Sequence, residues 1–70
     1  MKVFRITGVG EWYTGEGSWS KSEDEGTIYR SLESAEYVIR TGRRGNYPKP
    51  WLWADAEIVT YELVKMVDTF

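Results

Sequence analysis

The residue types best suited to recognition chemistry crowd into one stretch, from Arg43 to Trp53. Arg43, Arg44 and Lys49 carry positive charge there, and Tyr47, Trp51 and Trp53 present large flat rings. Cations set among rings have three uses. The rings can complete the core and scaffold a loop while the cations stay in water. The same groups can form a protein-binding surface, because Trp, Tyr and Arg are the side chains that most often dominate such contacts. Or the cations can neutralise phosphates while bases stack on the rings, as on proteins that hold single strands. Three or four cations support only a modest, salt-dependent grip on nucleic acid, and neighbouring acids oppose it. A protein partner that contacts Arg43, Arg44, Tyr47, Lys49, Trp51 and Trp53 is therefore the leading functional expectation, with weak single-stranded nucleic-acid binding through residues 43–53, or a purely structural homodimeric module, as the alternatives.

Catalytic equipment is scarce. The chain has no His and no Cys, which removes an imidazole base, a thiolate nucleophile and the usual ligands of a structural zinc site. Glu23, Asp24 and Glu25 are contiguous acids, but they fall in a stretch of small and polar residues where carboxyl groups stay solvated, and they lack the spacing of a calcium-binding loop. Gly8-Val9-Gly10 and Gly15-Glu16-Gly17 match no phosphate-cradling motif and precede no helix that could receive a phosphate. A non-enzymatic protein is expected, with no catalytic residue, cofactor or metal.

The elements that must position the aromatic stretch follow from pattern. At 70 residues the chain is one domain, and a chain so short buries only about 60% of its unfolded surface. Aromatic residues make up 16% of it, so its rings either carry the core or wait for a partner. A homodimer would also help explain a domain of this size. Lys2–Thr7 alternates as a first strand with Phe4 and Ile6 on one face, and Glu11–Thr14 can return as the second strand of a hairpin through Gly10. Residues 15–26 read as an acidic, loose stretch from which Trp19 folds back as a lid on the core. Thr27–Arg30 is a short β-prone run. Ser31 is a natural helix N-cap, Glu33 lies in the first turn and Arg40 in the last, and Thr41-Gly42 closes the helix. Its buried stripe is Leu32, Ala35, Val38 and Ile39, and Glu36 with Arg40 forms an i, i+4 pair.

Pro48 and Pro50 make the next segment a semi-rigid, extended crossover that places Trp51 and Trp53 on one side and Leu52 on the other. The last element is a strand, Ala56–Val67. Its face bearing Val59, Tyr61 and Leu63 has a continuous apolar middle and is expected against the core, while Ile58, Val64 and Met66 on the other face call for cover by Trp51, Trp53 or a twin chain. The resulting fold is α+β, a small antiparallel sheet of three to four strands with one helix packed on one face, in the order β-β-(short β)-α-β.

Charge is uneven. The net charge is −2, yet residues 37–54 hold Arg40, Arg43, Arg44 and Lys49 without an acid, while the flanking stretches are acidic. This favours one orientation of a charged partner. No basic leader, and no window approaching the roughly 18 apolar residues of a membrane span, is present; a cytoplasmic protein without membrane contact is expected.

Three segments, Glu11–Ser20, Gly26–Leu32 and Ala56–Val64, together resemble a loose group of small, uncharacterised proteins encoded by bacteriophages and prophages. In that group a Gly- and aromatic-rich hairpin precedes a short helix and a closing strand. The resemblance covers about half the chain and implies an accessory protein that acts in the infected host cell by binding a host or phage protein. It implies no active site. The acids at Glu23–Glu25 depart from the basic loop common in similar proteins, which weakens the implied nucleic-acid role.

Overall fold

A computed structural model of the chain describes residues 1–62. Strand β1 (Lys2–Gly8) turns through Val9-Gly10 into β2 (Glu11–Gly15), which turns through Glu16-Gly17 into β3 (Ser18–Ser20). Both turns have positive φ at their two central residues, 46° and 79° in the first and 52° and 80° in the second. That backbone matches the twist of the flanking strands. It suits Gly10 and Gly17, whereas the β-branched Val9 holds it under strain.

Helix α1 (Leu32–Arg44) follows, then a short helix α2 (Pro50–Ala54), then β4 (Glu57–Glu62). The sheet order is β3-β2-β1-β4 and every pairing is antiparallel. The last strand pairs with the first, and the α+β architecture, an antiparallel sheet with a helix packed on one face, is as the sequence indicates. The third strand is not: it is Ser18–Ser20, and Thr27–Arg30 contributes a single bridge, in which Tyr29 and Phe4 exchange two backbone hydrogen bonds of 2.8 Å. Trp19 lies on β3 and closes over the core, as a lid does.

Register overturns the expected burial of the last strand. Ile6 pairs with Ile58 and Phe4 with Thr60, so these side chains share a face. Ile6, Phe4 and Ala56 belong to the buried core and Ile58 packs against it. The face of Ala56 and Ile58 therefore meets α1, and Val59 and Tyr61 look the other way. Residues 63–67 of the expected strand lie outside the described residues.

The opposite face has its own cover. Residues 22–26 wrap across it through a 3-10 turn at Glu23–Glu25. Arg5 lies 5.0 Å over the Tyr61 ring and donates from Nε to the Gly26 carbonyl at 3.3 Å, and the Tyr61 hydroxyl donates to the Glu23 carboxylate. Burial and that hydrogen bond push the Tyr61 phenol up from its ordinary value.

Helix α1 starts where the sequence indicates: the Ser31 hydroxyl accepts from the Ser34 amide at 3.1 Å. Ala35 and Ile39 are buried and Val38 packs beside them, but Leu32 is exposed. Glu36 and Arg40 do not form the expected ion pair. The helix also runs past Gly42 to Arg44. Gly42 is a contact residue and not a terminator, because a Cβ there would lie 2.3 Å from the Trp53 ring. Its missing side chain is the space into which the indole fits.

Candidate partner-binding surface

The segment from 45 to 55 is folded, which changes the disposition of its rings. Pro50 occupies the start of α2, where its fixed φ suits a helix and its missing N–H leaves no bond unmade. Two residues of helix turn a side chain through roughly 200°. Trp51 and Trp53 therefore diverge, against the expectation that they share a side: Trp53 is 2% exposed and Trp51 is 59% exposed. Leu52 is buried with Trp53.

Trp53 is the hub of an aromatic cluster. Its ring centroid lies 4.9 Å from Tyr13, 5.1 Å from Trp19 and 5.9 Å from Tyr47. The contacts with Tyr13 and Trp19 are edge-on, a geometry that adds about 1 kcal/mol each to simple burial. The indole N–H groups of Trp19 and Trp53 are buried without a hydrogen-bond acceptor among the described residues.

The basic residues divide by role. Arg43 donates from Nε to the Trp53 carbonyl at 2.9 Å and from Nη2 to the Ala56 carbonyl at 3.4 Å, so it ties α1 to the exit of α2. Lys49 makes a 3.5 Å ion pair with Glu11. Arg40 and Arg44 have no carboxylate within ion-pair distance among the described residues. The six residues singled out from sequence thus separate. Arg43 and Trp53 serve the fold, Lys49 is paired, and Arg44, Tyr47 and Trp51 remain accessible.

Two concavities border this region. A groove of about 370 Å³ runs between α1 and β4, with Glu36, Arg40, Arg43 and Glu57 on its walls and Ile39, Ala56 and Ile58 at its base. It mixes both signs of charge. The second, about 130 Å³, is aromatic: Tyr37 and Tyr47 stand at its sides and Tyr13, Gly42 and Trp53 line it, with Val38 and Thr41 completing the wall. The Tyr47 ring packs closely on Gly45, where a Cβ would lie 2.5 Å from it, and sits beside Gly17, where a Cβ would be in ordinary contact at 3.4 Å. The Tyr13 hydroxyl accepts from the Gly17 amide at 3.0 Å, which fixes the hairpin tip beside the same ring.

Tyr37, Thr41 and Gly42 were not among the residues the aromatic stretch suggested. A signal was present: Tyr37, Thr41 and Arg44 recur at i, i+4 and i+7, a second face of the helix distinct from the Ala35–Ile39 stripe. Among the described residues no three acids converge as a metal ligand set would, and no helix is long and apolar enough to cross a membrane. No protein family, curated protein or solved structure matches the chain.

Proposed function

We propose that the chain is a non-enzymatic protein-binding module that uses the surface built from the second half of α1, the loop at Tyr47 and the exposed side of α2. The observation that carries this reading is the partition of the aromatic residues. Trp53, Tyr13 and Trp19 supply the core, yet Tyr37 on α1, Tyr47 in the loop after it and Trp51 on α2 stay accessible around it, with Tyr37 63% exposed. Exposed rings on a fixed scaffold are the raw material of contact hot spots. Nucleic acid is the weaker reading, because Arg43 is committed to backbone carbonyls and Lys49 to Glu11, which leaves Arg40 and Arg44 as the cations of the stretch without a carboxylate partner among the described residues. The resemblance to phage-encoded proteins supports a host or phage protein as the partner inside an infected cell.

Selection of peptides from an unbiased displayed library tests the proposal. Enriched peptides are expected to perturb the amide resonances of Tyr37, Arg44, Tyr47 and Trp51 and to lose affinity on Trp51→Ala and Tyr47→Ala. A library that yields no binder, or binders indifferent to both substitutions, would overturn it.

A further inference from the structure

We infer that the outer edge of β4 is the seam of a homodimer, in which a second copy of the chain lays its own β4 antiparallel to this one. β4 ends the sheet order β3-β2-β1-β4, and no described strand lies beyond it. Phe4 reveals which backbone groups of β4 face outward. Its N–H and C=O exchange bonds with Tyr29, on the side of β1 away from β4, so Thr60, its partner across the ladder, turns its own N–H and C=O to the outer edge. Alternation puts those of Ile58 and Glu62 there too. Among the described residues these groups have no hydrogen-bond partner. A regular row of open donors and acceptors is the template for another strand. The usual guards of such an edge are missing: the ladder with β1 runs from Lys2–Glu62 to Thr7–Glu57 without a bulge, and Glu57–Glu62 holds neither Pro nor Lys.

The pattern of the edge selects a copy of itself. Ile58, Thr60 and Glu62 are symmetric about Thr60, so a two-fold axis there pairs Ile58 with Glu62 of the second copy and Glu62 with its Ile58, and every outward group is matched. A register shifted by two residues would set Ile58 or Glu62 opposite a position outside β4. The side chains agree with the backbone. Thr60 meets Thr60 and Val59 meets Tyr61, both favourable cross-strand pairs. Glu57 turns its backbone inward to Thr7 while Glu62 turns outward, so the two acids of the strand cannot face each other across the seam. The groove between α1 and β4 reaches Ile58 on this strand, where a neighbouring strand covers apolar surface. Tyr47 sits beside Gly17 at the β2–β3 turn, toward the other edge of the sheet, and the seam leaves it uncovered.

The test is sedimentation equilibrium of the full chain over a concentration series reaching millimolar, with disulfide trapping as the measure of register. The mass is expected to rise from the 8.2 kDa of one chain toward twice that value. Thr60→Pro removes an outward N–H that β1 does not use, a place where an edge strand tolerates proline, and is expected to return the mass to that of one chain. Thr60→Lys, at an exposed position, sets like charges opposite each other across the axis and does the same without threatening the fold, which circular dichroism verifies. The chain has no cysteine, so a disulfide in a single-cysteine variant joins two copies. Thr60→Cys brings the pair to a Cα separation of roughly 5.5 Å, within disulfide reach, and is expected to link far faster than Glu57→Cys, whose Cα atoms lie roughly 20 Å apart in this register. A chain that stays at 8.2 kDa throughout the series would overturn the inference, whether the Ile58, Thr60 and Glu62 amides are then open to solvent exchange or protected within the single chain. So would a dimer indifferent to both Thr60→Pro and Thr60→Lys, or equal linking rates for the two cysteine variants.

Discussion

On the helix side of the sheet, Phe4, Ile6, Tyr13, Ala56 and Ile58 meet Ala35, Ile39 and Trp53 in a continuous apolar layer. On the opposite side, Arg5 and Tyr61 are met by the acidic turn at Glu23–Glu25 through a cation–ring contact and polar bonds. The first layer depends on volume, since densely packed rings leave no room for change. The second rests on the half-buried Arg5 and Tyr61 beside the buried Val3. The first layer takes Phe4, Tyr13, Trp19 and Trp53, whereas Trp12 and Tyr61 fall to the opposite face.

The sharpest way to break this contrast is at Trp53. Trp53→Ala is expected to cost about 4 kcal/mol in urea unfolding, whereas Trp51→Ala, two residues away, changes stability by less than about 0.5 kcal/mol. Equal losses would erase the distinction between core and surface rings. Gly42→Ala comes next. Although alanine is the better helix former, its methyl group would overlap the Trp53 ring, and a loss of about 3 kcal/mol is expected; a stabilised variant would show that the helix and the indole do not meet as described.

On the opposite side, Arg5→Ala removes the contact with the Tyr61 ring and the bond to Gly26, for an expected cost of about 1 kcal/mol. A loss as large as that of Trp53→Ala would mean that both layers are equally critical. The smallest effect is in pH. Tyr29 on the helix side is raised above the ordinary tyrosine value of 10.0 by burial and then by Tyr13, and Tyr61 on the opposite side by burial and then by its bond to Glu23. The folded chain keeps both protons where the unfolded chain has released them. Stability is therefore full below the ordinary value and falls as pH rises through the raised ones. Tyr29→Phe and Tyr61→Phe are each expected to flatten that alkaline decline, and a decline unchanged in the double variant would refute the cause.

The readable parts of the fold were those settled by local rules. Ser31 caps its helix through its own neighbours, and the alternation of Phe4 and Ile6 names the core face of β1 without reference to anything distant. What stayed hidden depended on contacts far along the chain. Gly42 reads as a helix stop until the Trp53 ring is placed against it. Val59 and Tyr61 form the more apolar-looking face of the last strand, but they meet a polar cover contributed by residues 22–26, which no periodicity within the strand can show. The candidate site was legible in composition and not in geometry. Tyr47 and Trp53 were named for it, yet Trp53 became its floor, Trp51 moved away from it, and Tyr37 entered from a helix face that hydrophobic counting passes over.

Gly42 also has a consequence for the order of folding. A glycine inside a helix forfeits roughly 1 kcal/mol against alanine, so the last turn of α1 is poorly self-supporting until Trp53 docks on it. That turn and α2 are then one opening unit, and it is the unit that shapes the aromatic pocket. Local unfolding and loss of the pocket become the same event. The amides of Gly45 and Ala56, bonded to Thr41 and Trp53, should exchange with solvent deuterium at matching free energies, below that of the Phe4 amide on the central strand. Exchange of Gly45 at the global rate would place the pocket in the most stable part of the protein instead.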